Sequence, residues 1–347
     1  MNTNEAEVLV FNGAGKPFEL KRVPIPTLGR GETLIELSLS TICGSDLHTV
    51  DGRRNEPTPS VLGHEGVGRV VAIGEGVEAA WVGCRVTWSS AVGCGRCRTC
   101  CEWDLPQKCG QVFKYGHARF KPEDTLNGCY ASHLILRAGT KMVRLPECVT
   151  DSMGAPANCA LATMMASTEP LRETHDCALI QGAGLLGIYG CAILRRAGWK
   201  RVLVSEPNPE RRKLVDAFGG EAFDPADSGQ ISAGSVDAVL EVSGNPAVVP
   251  EAVRVLRVGG HYGLVGMVHP DSALGLTGET IIRKCLTLRG THNYASRHLE
   301  AAVAFLEASA EAMPWDTLVS PPLPLHDLST AFELSATGQW PRVAVRP

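Results

Sequence analysis

Five cysteines crowd into sixteen residues of this chain: Cys94, Cys97, Cys100, Cys101 and Cys109. Thiolates three residues apart can bite one ion, and a tetrahedral site needs four, so one of Cys100 and Cys101 is surplus. The loop between them is Gly-, Arg- and Cys-rich and has too few apolar side chains to fold by burial. A bound Zn²⁺ would replace that missing core. A disulfide cluster is the competing reading. It is disfavoured because the thirteen cysteines are otherwise scattered singly and the start Met1–Glu7 is polar and acidic, unlike a signal or transit peptide. This cysteine usage points to a reducing, cytoplasmic setting.

A second set of donors is spread more widely. Cys43 opens the run Cys43-Gly44-Ser45-Asp46-Leu47-His48, and His64 sits in Gly63-His64-Glu65-Gly66. Cys159 lies far downstream, in Pro156-Ala157-Asn158-Cys159. Singly, a buried cysteine is a small hydrophobe and a histidine a satisfied polar group. Together they supply two thiolates and one imidazole, and three protein ligands with an open fourth position are what a catalytic zinc requires.

A third pattern suits a dinucleotide. Gly182-Ala183-Gly184-Leu185-Leu186-Gly187 follows an apolar strand ending at Gln181 and opens an apolar helix expected over Ile188–Ala197. Gly182 permits the tight turn, Gly184 lets a pyrophosphate approach the backbone, and Gly187 lets helix and strand pack closely. The free N–H groups of the helix start, including those at Leu185 and Leu186, face the phosphates. Glu206 ends the next strand, where a carboxylate accepts both ribose hydroxyls and repels a 2′-phosphate, favouring NAD over NADP. Arg211 and Arg212 follow closely; they either tolerate a phosphate or form a solvated helix face.

These motifs need two kinds of scaffold. Residues 1 to about 150 are rich in β-formers broken by Gly and Pro, with strands expected over 32–40 and 66–74, and read as an all-β unit. From about 151 to 290, apolar runs over 176–181, 201–205, 236–241 and 260–265 alternate with helical patterns, which indicates a parallel sheet of βαβ units. A helix over 296–312 and a strand over 343–345 follow and return to the first domain. The 347 residues suit two domains, and a net charge of −4 argues against a general nucleic-acid binder. No apolar run is long enough to span a membrane.

With these motifs in hand, the chain resembles the zinc-dependent medium-chain dehydrogenase/reductases, the alcohol and polyol dehydrogenase superfamily, from about residue 20 to the C-terminus. The resemblance implies an α/β protein with a GroES-like β-barrel catalytic domain (1–155, with a zinc lobe at 94–109), a Rossmann doubly wound domain (156–290) and a returning segment (291–347). It implies an active site in the cleft between the domains. Matched position by position, Cys43, His64 and Cys159 correspond to catalytic zinc ligands and Glu65 to the carboxylate beside them. Ser45 and His48 correspond to the proton relay, and the lobe cysteines to a structural zinc. The lobe departs from the family pattern by one extra residue: Cys100 keeps the spacing to Cys97, and Cys101 keeps the spacing to Cys109.

The resulting expectation is an NAD-dependent alcohol dehydrogenase with two Zn²⁺ per chain, forming a homodimer or homotetramer. Its substrate would be a small polar alcohol or the matching carbonyl compound. Phe113–His117 and, in Thr291–Tyr294, a second stretch resemble a subgroup found in phosphonate catabolism. Arg53, Arg54, Lys114, His117 and Arg119 would line a mouth suited to an anion such as a hydroxyphosphonate. Two other readings compete: a zinc-free quinone-reductase-like relative, and a non-catalytic zinc/NAD-binding sensor using the extra thiols Cys101, Cys129 and Cys285.

Overall fold

Two units divide the chain: residues up to Cys159 together with Ala295–Pro347, and Ala160–Tyr294. The computed structural model describes residues 4–171 and 176–347, so the polar start Met1–Thr3 lies outside the described residues, as does the short stretch 172–175.

The first unit is built on strand Thr33–Thr41, whose side chains are buried on both faces (Leu34, Ile35, Leu37, Leu39). Burial on two faces replaces the polar alternation of a half-exposed strand with a near-continuous apolar run. This strand pairs antiparallel with Glu65–Ile73, His133–Leu136 and Ala344–Arg346. Its register matters for the chemistry below, since Thr41 stands opposite both Glu65 and Ala344. Arg85–Trp88 and Met142–Arg144 extend the sheet beyond Glu65–Ile73. Its apolar core includes Val8, Val10, Ile35, Val70, Val86, Trp88 and Leu134.

The unit is not all-β. Helix Gly44–Val50 carries Ser45 and His48, and its first turn is fixed by the Asp46 carboxylate, which accepts the Cys43 N–H at 3.0 Å. A short polar side chain three residues into a helix satisfies an orphan N–H of the first turn. Residues 151–158 are also helical, and Met153 and Ala155 are buried in the first unit, so the second unit begins only at Ala160.

In the second unit six parallel strands run in the order Glu221–Phe223, Arg201–Ser205, Cys177–Gln181, Val236–Glu241, Leu256–Leu264, Thr287–Gly290. Numbered along the chain this is the order 3-2-1-4-5-6 of a doubly wound dinucleotide fold. The first helix is Leu185–Arg196, beginning three residues before the expected Ile188, because extended Gly184 serves as its N-cap and Leu185 is already buried in its first turn. Later, helix Ser296–Ser309 buries Leu299, Ala302, Val303 and Leu306 and stops three residues short of the expected end. The final strand is Ala344–Arg346. Among the described residues no helix is long and apolar enough to cross a membrane.

Gly187 shows how tightly the loop and helix meet, for a Cβ placed there would stand 1.9 Å from the Gly182 carbonyl oxygen. Backbone cannot yield as a flexible side chain would. Gly187→Ala is therefore expected to destabilise the protein by about 1–3 kcal/mol, measured by denaturant unfolding.

Candidate functional site

Cys43 precedes helix Gly44–Val50, His64 immediately precedes and Glu65 opens strand Glu65–Ile73, and Cys159 ends the helical stretch after Asn158. The fold brings one donor atom from each of these four residues within 4.8 Å of the others. Cys159 Sγ lies 3.5 Å from His64 Nε2. The other imidazole nitrogen, Nδ1, faces Asp46 Oδ1 at 3.5 Å, while Asp46 Oδ2 accepts the Tyr130 hydroxyl at 3.0 Å. A buried carboxylate behind Nδ1 selects the tautomer that leaves Nε2 free as a ligand.

Glu65 is fully buried, and Arg342 grips it with two hydrogen bonds: Nε to Oε2 at 2.8 Å and Nη2 to Oε1 at 2.9 Å. Thr41 Oγ1 donates to the same Oε2 at 2.6 Å. Arg342 Nη2 also reaches Cys43 Sγ at 3.7 Å. The Cys43 thiol is held well below its usual value by the hydrogen bond from Cys159, against the opposing effect of burial and with the help of Arg342 and His64. Beside that thiolate, Cys159 is pushed up, first by its bond to Cys43 and then by burial. Burial alone would lower the pKa of His64, but Asp46 and Cys43 outweigh it and raise it well above the ordinary value. Burial raises that of Glu65, partly offset by Arg342. Two half-buried sulfurs with a buried carboxylate and a buried imidazole form a soft, electron-rich donor set. Such a set fits a divalent zinc.

The lobe forms a second group of donors, Cys94, Cys97, Cys100 and Cys109, again within 4.8 Å of one another. Cys97 Sγ is 3.5 Å from Cys100 Sγ and 3.8 Å from Cys109 Sγ. Backbone N–H groups of Arg96 and Cys97 pull the Cys94 thiol down to about 6, and that of Cys100 lowers Cys97. The Cys94 and Gln111 N–H groups point at Cys109 Sγ at 3.4 and 3.3 Å. Amides aimed at sulfur favour the ligating thiolate. Of the two candidates for the fourth place, Cys101 is outside the group: exposed, with its thiol on the Gly95 carbonyl at 3.2 Å. The cause is helix Arg98–Cys101, in which the chain turns about 100° per residue, so Cys100 faces Cys97 and Cys101 has rotated past. The extra residue is taken up in the loop that follows.

In the second unit, Gly182 adopts φ +112°, and a Cβ on Gly184 would meet nothing within 4 Å. Open space over Gly184, the N-cap of a twelve-residue helix that includes Leu185, Leu186 and Gly187 and whose first turn has no side-chain cap, is a cradle fit for a pyrophosphate. Glu206 Oε2 accepts the Ala183 N–H at 2.7 Å and Oε1 the Asn208 N–H at 2.9 Å. Each oxygen keeps a second lone pair for a ribose hydroxyl. Arg212 is committed to the Glu206 and Pro207 carbonyls and to Asp224, whereas the Arg211 guanidinium has no such partner among the described residues.

Ser45 and His48 stand one turn apart on helix Gly44–Val50, Ser45 half-buried and His48 exposed. The residues proposed to line a mouth divide. Arg53 is exposed and paired with Asp51, and Arg119 is exposed. His117 instead lies beside His64, their ring centroids 5.1 Å apart, and shares the Glu56 carboxylate with Arg54, while Lys114 is half-buried. A cavity of about 760 Å³ elsewhere in the first unit, lined by residues such as Arg85, Asp316 and Trp340, includes none of the donors. Sequence reasoning missed Asp46, Tyr130 and Arg342. Asp46 had a signal, its place three residues into a helix after Cys43. Arg342 had none, being 277 residues from Glu65.

Comparison with known proteins gives two family-model matches: an alcohol dehydrogenase GroES-like domain over residues 29–147, and a glucose dehydrogenase C-terminus over residues 156–339. The chain is similar to an L-threonine 3-dehydrogenase of Legionella pneumophila, 28% identical over 92% of this chain and 94% of that one. Among solved structures it is similar to an alcohol dehydrogenase of Thermotoga maritima, with a TM-score of 0.91 and 28% identity over 99% of both chains. An alcohol dehydrogenase of Thermus sp. ATN1 matches with a TM-score of 0.86 and 25% identity, over 98% of this chain and 99% of that one.

Removing one partner of a buried ion pair strands the other. Arg342→Ala should cost about 3–5 kcal/mol in denaturant unfolding, and the Glu65→Gln/Arg342→Met double variant should recover most of it.

Proposed function

Because the chain belongs to the zinc-type medium-chain dehydrogenase/reductase family, we propose that it oxidises a small polar alcohol, including one that bears an anionic group, with NAD as hydride acceptor. The reverse reduction is the same chemistry. The observation that carries this reading is the convergence of donor atoms from Cys43, His64, Glu65 and Cys159 within 4.8 Å of one another. It also speaks against a zinc-free quinone-reductase-like activity, which has no use for such donors.

Cys43, His64 and Cys159 would hold the catalytic zinc, with Glu65 beside them, and Cys94, Cys97, Cys100 and Cys109 a structural one. When bound, zinc lowers the pKa of a substrate hydroxyl and NAD accepts the hydride. The residues of the chain do the rest. Asp46 orients His64, and Arg342 keeps the Glu65 carboxylate from crowding the site with uncompensated charge. Ser45 and His48, one turn apart and leading from a half-buried to an exposed position, carry the substrate proton to solvent. Gly184 and the helix behind it receive the pyrophosphate. Glu206 takes the ribose hydroxyls, which favours NAD over NADP.

The same reading includes a homodimer or homotetramer in the cytoplasm. Strand Thr287–Gly290 ends the sheet of the second unit with no further strand beyond it among the described residues, and Ile282, Val268 and Val258 are 75%, 66% and 65% exposed. All thirteen cysteines are unpaired, which suits a reducing compartment.

Metal analysis of the purified protein should give two zincs per chain, and NAD⁺ should be reduced in a panel of hydroxy compounds. Cys43→Ala should abolish turnover and lose one zinc while NAD still binds. Normal turnover with unchanged metal content would contradict the assignment. In the lobe, Cys100→Ser should lose the other zinc and lower the melting temperature, whereas Cys101→Ser should keep both metals.

A further inference from the structure

Gln181, the last residue before the glycine loop, stands opposite Ser205 on one neighbouring strand and Glu241 on the other. Each neighbour brings a carboxylate to this point. Glu206, just past Ser205, accepts the Ala183 N–H and takes a ribose in the proposed function. Glu241 has no such role, yet it is fully buried, and no cation pairs with it among the described residues.

Two loops satisfy Glu241 instead. Its Oε1 accepts the Gly244 N–H at 2.6 Å and the Ser243 hydroxyl at 3.0 Å, and its Oε2 accepts the Gly266 N–H at 3.1 Å. Ser243 Oγ in turn accepts the Asn245 N–H at 3.1 Å. Every partner of the carboxylate is a donor, so a side chain with two acceptor oxygens suits them all. Glutamine would turn an NH₂ group against one of them. Burying a carboxylate is costly unless such bonds surround it. A short polar side chain could cap either loop without that cost, but Glu241 ties the two together.

Both loops are fastened to the glycine turn. The Val242 N–H bonds the Gln181 carbonyl at 3.1 Å. A Cβ on Gly182 would stand 3.2 Å from Ser243 Cα, and one on Gly266 would stand 2.6 Å from the Gly244 nitrogen. Gly182, Ser243–Gly244 and Gly266 therefore form one close-packed rim, in which Ser243 and Asn245 are exposed while Glu241 is buried. In a sheet ordered 3-2-1-4-5-6, the first three strands serve one nucleotide of a dinucleotide and the last three serve the other. Glu206 follows the second strand, on the adenosine side. Glu241 ends the fourth strand and Gly266 follows the fifth, on the opposite side.

We propose that Glu241 is a positioning residue for the cofactor, its carboxylate pinning Ser243–Asn245 and Gly266 into the rim that receives the nicotinamide half of NAD. This rests on the dinucleotide reading of the glycine loop and adds the residue that shapes its second half. The effect is one of geometry: the buried carboxylate acts through the backbone it holds.

The test is calorimetric titration of the zinc-loaded full-length protein with NAD⁺ and, separately, with ADP, which occupies the adenosine half alone. Glu241→Gln should weaken NAD⁺ binding about tenfold to a hundredfold and leave ADP binding unchanged. Glu241→Asp keeps the charge but is one methylene too short to reach both loops, and it should weaken NAD⁺ in the same way. Should Glu241→Gln fail to fold, Glu241→Asp and Ser243→Ala carry the same comparison. Equal loss of NAD⁺ and ADP would mean a general structural role and overturns the proposal, as does unchanged NAD⁺ binding in Glu241→Gln. Wild-type NAD⁺ affinity in Glu241→Asp, with loss only in Glu241→Gln, makes charge rather than geometry the cause and overturns it too. A wild-type protein that binds neither ligand defeats the dinucleotide reading itself, whereas binding of both that the variants leave intact removes Glu241 alone.

Discussion

Glu65 keeps its carboxylate where water does not reach, and it does so beside a cysteine thiol drawn toward thiolate. Arg342 makes this tolerable, with two hydrogen bonds to the carboxylate and a third contact to Cys43 Sγ. A buried pair of this kind gains little for stability compared with apolar packing, and each member is costly without the other. Its presence in the core of the first unit calls for another reason. Arg342 reaches Glu65 and Cys43, and a divalent cation at the point where the sulfurs and the imidazole converge would give the donors a common partner.

The sheet supplies the precision. Thr41 stands opposite Glu65 on one neighbour and Ala344 on the other, so a single register places the Thr41 hydroxyl, the Glu65 carboxylate and the approach of Arg342. A slip of one residue would turn each of these side chains to the other face. Asp46 does two jobs at once: it fixes the start of the helix that carries Ser45 and His48, and it faces the imidazole of His64. Position and electronic character of the donors are thus set by the same few residues that make the local structure.

How much of this could be read from the chain follows the range of the interactions. The glycine loop is a local matter. Gly182, Gly184 and Gly187 are each required by a turn, an approach or a contact within a few residues, and the parallel strands around them are continuous apolar runs. The lobe was legible except for one choice, since spacing alone treats Cys100 and Cys101 alike and only the helical phase of Arg98–Cys101 separates them. The helix Gly44–Val50 was hidden within a β-rich stretch, because seven residues are too few for periodicity to show. Arg54, Lys114 and His117 were read together from the sequence, but Arg342 and the Glu56 carboxylate shared by Arg54 and His117 were beyond sequence spacing, for they meet their partners only after the sheet has closed.

The claim on which the rest depends is that Cys43, His64 and Cys159 bind a single divalent ion. Replacing the zinc of the purified protein with Co²⁺ and recording the visible spectrum tests it directly. Intense d–d bands of a four-coordinate ion with thiolate charge transfer are expected, a component of which disappears in Cys43→Ala and shifts when an alcohol is added, while the component from the lobe persists. A spectrum of the wild-type protein that Cys43→Ala and alcohol leave unchanged would contradict it.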